Sequence, residues 1–251
     1  MYPRPVVPSG EPEILLYGQH LTPYTVKVAR GLCLKKQPFR LIEPTSLEDY
    51  RRWNPETGLL PVLEIDGRRV IDSTAILDFL DERFPEPPFL SEDPRVAREQ
   101  RRLEAWIAET FDFYIMRWIK SRVLPPDPEN ANAGFGVMSR LGLIGDDGHL
   151  RAEVFDTTHG GPGPEFERRL DDLLNFLGPR PFFFAERPSR ADLAVFGTFY
   201  AMYLDLYPGS RALLASRPRL FAYVGRMEAA TGGPDAGRGV SLDRGPGGSP
   251  P

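Results

Sequence analysis

Apolar positions along the first third of the chain come in short runs. Further on they recur at helical spacing, and that change organises everything else. Glu13–Tyr17 (EILLY) is a compact apolar run, consistent with a buried strand. A polar turn, Gly18-Gln19-His20-Leu21-Thr22-Pro23, follows. Proline suits a first helical position, so Thr22 is expected as the N-cap and Pro23 as the first residue of a helix. Val26, Ala29, Leu32 and Cys33 fall on one face of that helix. Phe39–Ile42 (FRLI) reads as a second strand. Pro61–Ile65 and Arg68–Ile71, joined by Asp66-Gly67, read as a hairpin, because Asp-Gly is among the strongest short turn signals. Asp72-Ser73 then opens a helix with Ile76, Phe79, Leu80 and Phe84 at helical spacing. With a short helix before the hairpin, the order is strand, helix, strand, short helix, strand, strand, helix.

Pro85, Pro87, Pro88 and Pro94 mark a linker and the expected domain boundary. No strand pattern follows for a long way. Leu103, Trp106, Ile107, Tyr114, Ile115 and Trp118 form one long amphipathic stripe. Phe166, Leu170, Leu173, Leu174 and Leu177 form a second stripe, and Leu193, Phe196, Tyr200 and Tyr203 a third. A last helix is expected over about 218–230. Ser189-Arg190-Ala191-Asp192, before the apolar Leu193–Phe196, is a capping box with a structural role. The expected partition is an N-terminal extension (1–12), a mixed α/β domain (13–84), a linker (85–93) and a helical domain (94–230). An irregular Pro/Gly/Asn/Asp-rich insertion occupies about 124–164, and the Gly/Pro-rich tail (231–251) is expected to be disordered.

Composition narrows the function. The chain has 251 residues, enough for two modest cores, and a formal net charge of −4 with both signs interspersed. That balance speaks against a nucleic-acid partner. The single cysteine, Cys33, allows no intrachain disulfide, and with three histidines a metal centre is not expected. No stretch reaches the ~20 apolar residues of a membrane helix, and residues 1–12 lack the apolar core of a secretion signal, so the cytoplasm is the expected location.

Four local features could carry chemistry, and each also has a plain structural reading. Leu60-Pro61 is either a cis proline that turns the Leu60 main chain towards a cleft, or a trans proline opening an edge strand. Asp72-Ser73 is either a carboxylate-binding helix start or a bare cap. Thr22-Pro23-Tyr24-Thr25 either offers a hydroxyl to a thiol at a helix start or only caps the helix. Phe182-Phe183-Phe184 is either a pocket wall or core.

Taken in order and spacing, the hydroxyl turn, the Leu-Pro hairpin, the Asp-Ser helix start, the proline linker and the late Ser-x-x-Asp helix resemble the glutathione S-transferase superfamily. NPETGLLPVLEIDGRRVIDSTAILDFLDERFP is the most similar segment, and PSRADLAVFGTF looks like that family's capped core helix. The resemblance covers about 13–121 and 165–230. It implies a thioredoxin-like α/β domain followed by an all-α helical domain, with glutathione as cosubstrate. It implies that Leu60 before Pro61 holds the cysteinyl backbone, and that Asp72 and Ser73 hold the γ-glutamyl end. Thr22 or Tyr17 would activate the thiol, and a small apolar electrophile would sit near Tyr114 and Trp118. A cytosolic homodimer is also implied. TPYT looks like a glutaredoxin CPYC motif with both cysteines replaced, so disulfide exchange at this turn is excluded. Leu59 departs from the family where many members carry Lys or Gln for the glycyl carboxylate. A glutathione-dependent maleyl-type isomerase, with Arg117, Lys120 and Arg122 as weak candidates for a dicarboxylate, and a non-catalytic binding module stay open as alternatives.

Overall fold

A computed structural model describes residues 12–122, 162–206 and 209–232. Of the expected insertion all but 162–164, which open a helix instead, lies outside these residues, as do nearly all of the N-terminal extension and tail, His149 and His159. The first part of the chain runs β1 (Ile14–Tyr17), α1 (Pro23–Leu34), β2 (Arg40–Ile42), α2 (Leu47–Trp53), β3 (Val62–Ile65), β4 (Arg68–Ile71) and α3 (Ser73–Arg83). The sheet order is β2-β1-β3-β4, with β1 parallel to β2 and antiparallel to β3, and β3 antiparallel to β4. Asp66 and Gly67 have φ of 51° and 82°, the left-handed pair that a two-residue hairpin needs.

Strand alternation sends side chains to two faces. Ile14, Leu16, Leu41, Leu63 and Ile65 join the main core with Val28 and Leu32 of α1 and Ile76 and Leu80 of α3. Tyr17 and Val62 face the other way, against Trp53 of α2. One ladder row runs Ile42–Tyr17–Val62–Ile71. The carboxyl ends of β1 and β4 and the amino end of β3 therefore lie at the same edge of the sheet.

The second part is helical: α4 (Pro94–Trp106), α5 (Asp112–Arg122), α6 (Pro162–Leu177), α7 (Arg190–Tyr203), α8 (Ser210–Ala215) and α9 (Pro218–Ala230). The stripe expected as one helix over Leu103–Trp118 is split. A widened π-type turn, Ile107–Phe111, joins α4 to α5. Such an inserted residue leaves the apolar spacing nearly intact, which is why periodicity did not show it. Helix α7 lies centrally, and Ser189 with Asp192 forms the expected capping box. Asp192, without exposed surface, also accepts from the Phe183 amide at 2.9 Å, which ties the Phe182–Phe184 run to the helix start. Phe182 and Phe183 are core.

The two parts meet along α1 and α7. Gly197 of α7 sits so close to α1 that a Cβ there would lie 2.3 Å from the Pro23 carbonyl oxygen. Buried charges span the same seam. Lys27 of α1 pairs with Glu104 of α4 at 2.6 Å, Glu104 also takes Arg190 of α7, and Arg190 reaches Asp78 of α3 at 2.5 Å. Arg30 of α1 pairs with Glu228 of α9 at 2.7 Å. Such pairs add little net stability but cost several kcal/mol when one partner is removed, so they fix which elements meet. Lys35 and Asp81 hold the segment after α3, because Lys35 donates to the Pro87 carbonyl and Asp81 accepts from the Phe89 amide.

Candidate functional site

Three loops leave the sheet edge just described: Gly18–Thr22 after β1, Asn54–Pro61 before β3, and Asp72 with the start of α3 after β4. The ladder row places them together, although they are separated by tens of residues in sequence.

Thr22 occupies the N-cap position of α1 with extended backbone and Pro23 at the first helical place. Its hydroxyl does not cap the helix. The oxygen lies 3.0 Å from the Gln19 carbonyl and 2.8 Å from the Thr25 hydroxyl. A hydroxyl has one proton, so both contacts are met when Thr25 donates to Thr22 and Thr22 donates to Gln19. Gly18 makes room for this, since a Cβ there would sit 2.4 Å from the Thr25 oxygen. Tyr17 goes elsewhere. Its ring stacks 4.9 Å from Trp53 on the α2 face, and its hydroxyl donates to Glu64 at 3.4 Å. Burial, reinforced by the Glu64 charge, raises the Tyr17 phenol above its ordinary pKa. A raised phenol is a poorer stabiliser of a thiolate.

The Leu60–Pro61 bond is cis. The loop before it is braced by Asn54, which is 2% exposed. The Asn54 amide donates to the Leu59 carbonyl at 2.8 Å and to the Thr57 hydroxyl at 2.7 Å, and its oxygen accepts from the Thr57 amide. The sequence offered Asn54 as a loop residue only; its bracing depends on contacts that composition does not show. Leu59 is 42% exposed.

Asp72 has φ 72° and ψ 124°, a rarely populated backbone for a residue with a side chain. Its carboxylate caps α3 by accepting from Thr74 and Ala75 amides, both at 2.9 Å. That leaves the Ser73 N–H among the first-turn donors. Ser73 is 6% exposed, and its oxygen accepts from the buried Lys27 ammonium at 3.1 Å.

The residues expected beside an electrophile separate. Tyr114 is partly buried, with Phe113 at 5.6 Å and the Arg169 guanidinium over its ring. Trp118 has no exposed surface and packs 5.5 Å from Phe166, which makes it filling between α5 and α6 rather than a wall of an open pocket. Arg117 stacks over Phe113. The Lys120 and Arg122 side chains fall outside those described. His20, exposed in the turn, is held by Glu43 at 2.6 Å.

Two residues to which the sequence assigned no role of their own meet at the start of α1. Tyr24 reaches across to Asp112, the first residue after the π-type turn, at 3.3 Å, and to the Ala108 carbonyl at 3.4 Å. Burial pushes the Asp112 carboxyl up to about 6, only partly offset by the Tyr24 hydroxyl. Pro23, Tyr24, Lys27, Glu104 and Asp112 help line a small cavity of about 10 Å³, room for one water. Among the described residues no group of His, Cys, Asp and Glu could hold a metal ion, and no helix is long and apolar enough to cross a membrane.

A four-stranded mixed sheet with α1 and α3 on one face, followed by a helical unit docked on α1, defines a thioredoxin-like domain joined to an all-α domain. Sequence comparison gives this class its family. The description "Glutathione S-transferase, N-terminal domain" matches residues 16–88 and "Glutathione S-transferase, C-terminal domain" matches 166–227, together more than half of the chain. The chain belongs to the glutathione S-transferase superfamily. It is 26% identical over 156 residues to glutathione S-transferase U9 of Arabidopsis thaliana, covering 61% of this chain and 62% of that one. It is 35% identical over 96 residues to the maleylacetoacetate isomerase of Pseudomonas aeruginosa, covering 35% and 45%. The chain thus spans less than two thirds of the length of these curated relatives. Among solved structures, a glutathione S-transferase of Methylobacterium radiotolerans in complex with glutathione sulfonate superposes with a TM-score of 0.64 at 23% identity, covering 94% of this chain and 99% of that one. A tau-class enzyme from mango gives 0.63 at 20%, covering 89% and 92%. These structural likenesses establish the fold.

Proposed function

We propose that this protein binds glutathione at the sheet edge and activates its thiol for attack on a small apolar electrophile. The observation that carries the reading is the ladder row Tyr17–Val62–Ile71, which gathers the Thr22 turn, the Leu60–Pro61 entry and the Asp72–Ser73 helix start at one edge. In this arrangement the extended main chain at Leu60 pairs with the cysteinyl backbone of the tripeptide in β fashion. The start of α3 takes the γ-glutamyl end.

Thr22 serves as the activating group. Its hydroxyl needs only to turn from the Gln19 carbonyl to donate to a sulfur at the start of α1, while Thr25 keeps donating to its oxygen and polarises it. The positive end of α1 favours the thiolate over the thiol, which increases the nucleophile present at neutral pH. Tyr17 stays with Glu64 and Trp53. Tyr114 and the face of α4–α5 border the space for the electrophile. The reading brings with it a homodimer and a cytoplasmic location.

The test is conjugation of glutathione to a general electrophile by wild type, Thr22→Ala, Thr22→Ser and Tyr17→Phe. Thr22→Ala should lower kcat/KM by about 10² or more, the typical loss of one positioned donor. Thr22→Ser should retain most activity, and Tyr17→Phe should stay within about twofold. Loss with Tyr17→Phe but not with Thr22→Ala reverses the assignment. A folded wild type that binds no glutathione rejects the reading in favour of a binding module for some other ligand.

A second reading, thiolate addition and elimination across a cis double bond of a maleyl-type acid, is favoured by one observation. The relatives named as maleylacetoacetate isomerases reach 35% identity, against 26% for the U9 transferase, but over about a third of this chain. Turnover of a maleyl substrate with catalytic amounts of glutathione separates it from net conjugation.

A further inference from the structure

Lys27 lies in the first turns of α1 with 3% of its surface exposed, among residues 46 to 77 positions away in sequence. An ammonium has three N–H donors, and here each has an acceptor. They go to the Ser73 hydroxyl at 3.1 Å, the Thr74 hydroxyl at 3.1 Å and the Glu104 carboxylate at 2.6 Å. Burial lowers the Lys27 pKa, and the adjoining Glu104 charge offsets this only in part. Thr74 passes its own proton to Glu104 at 3.2 Å, so that hydroxyl is fully engaged.

Ser73 is different. Its oxygen is occupied by Lys27, so its proton cannot point at Lys27, and among the described residues no acceptor takes it. The next group along the helix start is equally open. Asp72 has claimed the Thr74 and Ala75 amides, which leaves the Ser73 N–H. Ser73 thus offers two donors, N–H and O–H, from one residue, with a buried positive charge behind them. That matches the two oxygens of a carboxylate.

We infer that Lys27 is a positioning residue: by filling a lone pair of Ser73 it turns the Ser73 hydroxyl into a fixed donor for the α-carboxylate of a γ-glutamyl group. This deepens the glutathione reading above and rests on it. Lys27 itself does not reach the ligand. Its effect is confined to the γ-glutamyl end and absent from the thiol end, where Thr22 works.

Calorimetric titration with glutathione, γ-glutamylcysteine and cysteinylglycine tests this on wild type, Lys27→Gln, Ser73→Ala and the double variant. Lys27→Gln should weaken binding of the two γ-glutamyl peptides by about tenfold or more, the scale of one charge-assisted hydrogen bond. Ser73→Ala should do the same, and the double variant should be no weaker than Ser73→Ala alone. Cysteinylglycine, which lacks the γ-glutamyl group, should bind all four proteins alike. A role in stability alone shifts the melting temperature while leaving that peptide selectivity unchanged. Unchanged glutathione affinity in Lys27→Gln, equal losses for cysteinylglycine, or fully additive losses in the double variant overturn the inference and leave the glutathione reading intact. If Lys27→Gln does not fold, Lys27→Gln/Glu104→Gln removes the ion pair as a pair and is titrated instead. Ser73→Ala, which removes one hydroxyl and leaves the Lys27–Glu104 ion pair in place, must in any case show the γ-glutamyl selectivity. A folded wild type that binds neither γ-glutamyl peptide overturns both this inference and the function it rests on.

Discussion

Replacing Gly197 by alanine probes the seam on which the Thr22 turn is mounted. Gly197 lies inside α7, where alanine is the better helix former by about 1 kcal/mol. Propensity alone therefore predicts stabilisation. The added Cβ would meet the Pro23 carbonyl oxygen at 2.3 Å, the Pro23 carbonyl carbon at 3.2 Å and the Lys27 amide nitrogen at 3.3 Å. These are main-chain atoms and cannot rotate away as a side-chain tip can. Relief requires α1 and α7 to part by roughly 0.7 Å or more, which loosens close packing along the whole contact. Overpacking of this kind costs about 1–3 kcal/mol, and a main-chain clash belongs at the upper end. The clash outweighs propensity, leaving a net loss of about 1–2 kcal/mol. At this chain length that lowers the melting temperature by about 2–4 °C per kcal/mol. Gly225, inside α9, supplies the internal control, because a Cβ there meets nothing within 4 Å. Gly225→Ala should raise the melting temperature by a few degrees through propensity alone. The same substitution thus has opposite signs at two helical glycines, read by thermal or urea unfolding followed by circular dichroism. Gly197→Ala as stable as wild type, or Gly225→Ala clearly less stable, refutes the close-approach argument.

Asp192→Ala orphans the buried Phe183 and Ser189 amides and removes the capping box. It should cost about 3–5 kcal/mol in urea unfolding, far more than an ordinary surface substitution. Asp112 titrates higher in the folded protein, at about 6, than its ordinary 3.8, so its protonated form favours folding. That contribution is whole below about pH 4 and is lost as the pH rises to about 6. The stability of Asp112→Asn relative to wild type should therefore rise across that window by about 3 kcal/mol and level off above it, and a flat difference argues against a buried, raised carboxyl. Cys33 is partly buried and its thiol pKa is raised by that burial, so it should react with disulfide reagents at neutral pH more slowly than free cysteine. Cys33→Ser should keep conjugation within about twofold, and loss of turnover would place the cysteine in the chemistry.

Local signals in the chain wrote most of the fold. The EILLY run, the Asp-Gly hairpin, proline at the first position of α1, Asp72 before α3 and the Ser189–Asp192 box each depend on neighbours within a few residues, and each stands where the pattern put it. The candidate site was legible as a set of loops, because every member lies at the end of one of those elements. Its internal assignments were not legible. Thr22 and Tyr17 looked equivalent in sequence. Strand alternation and the partners Trp53 and Glu64, tens of residues away, sent Tyr17 to the α2 face, while the Thr22 hydroxyl stayed at the start of α1 beside the Gln19 carbonyl. Trp118 read as a pocket wall and became core once α6 packed on it. Lys27 carried no signal in the sequence, and only the meeting of α1, α3 and α4 put its ammonium under Ser73. Capping, turn conformation and periodicity are settled by short-range sterics and hydrogen bonds, so one strand of sequence determines them. Which polar atom faces which is settled by the packing of distant elements, and that information exists only once the chain has closed on itself.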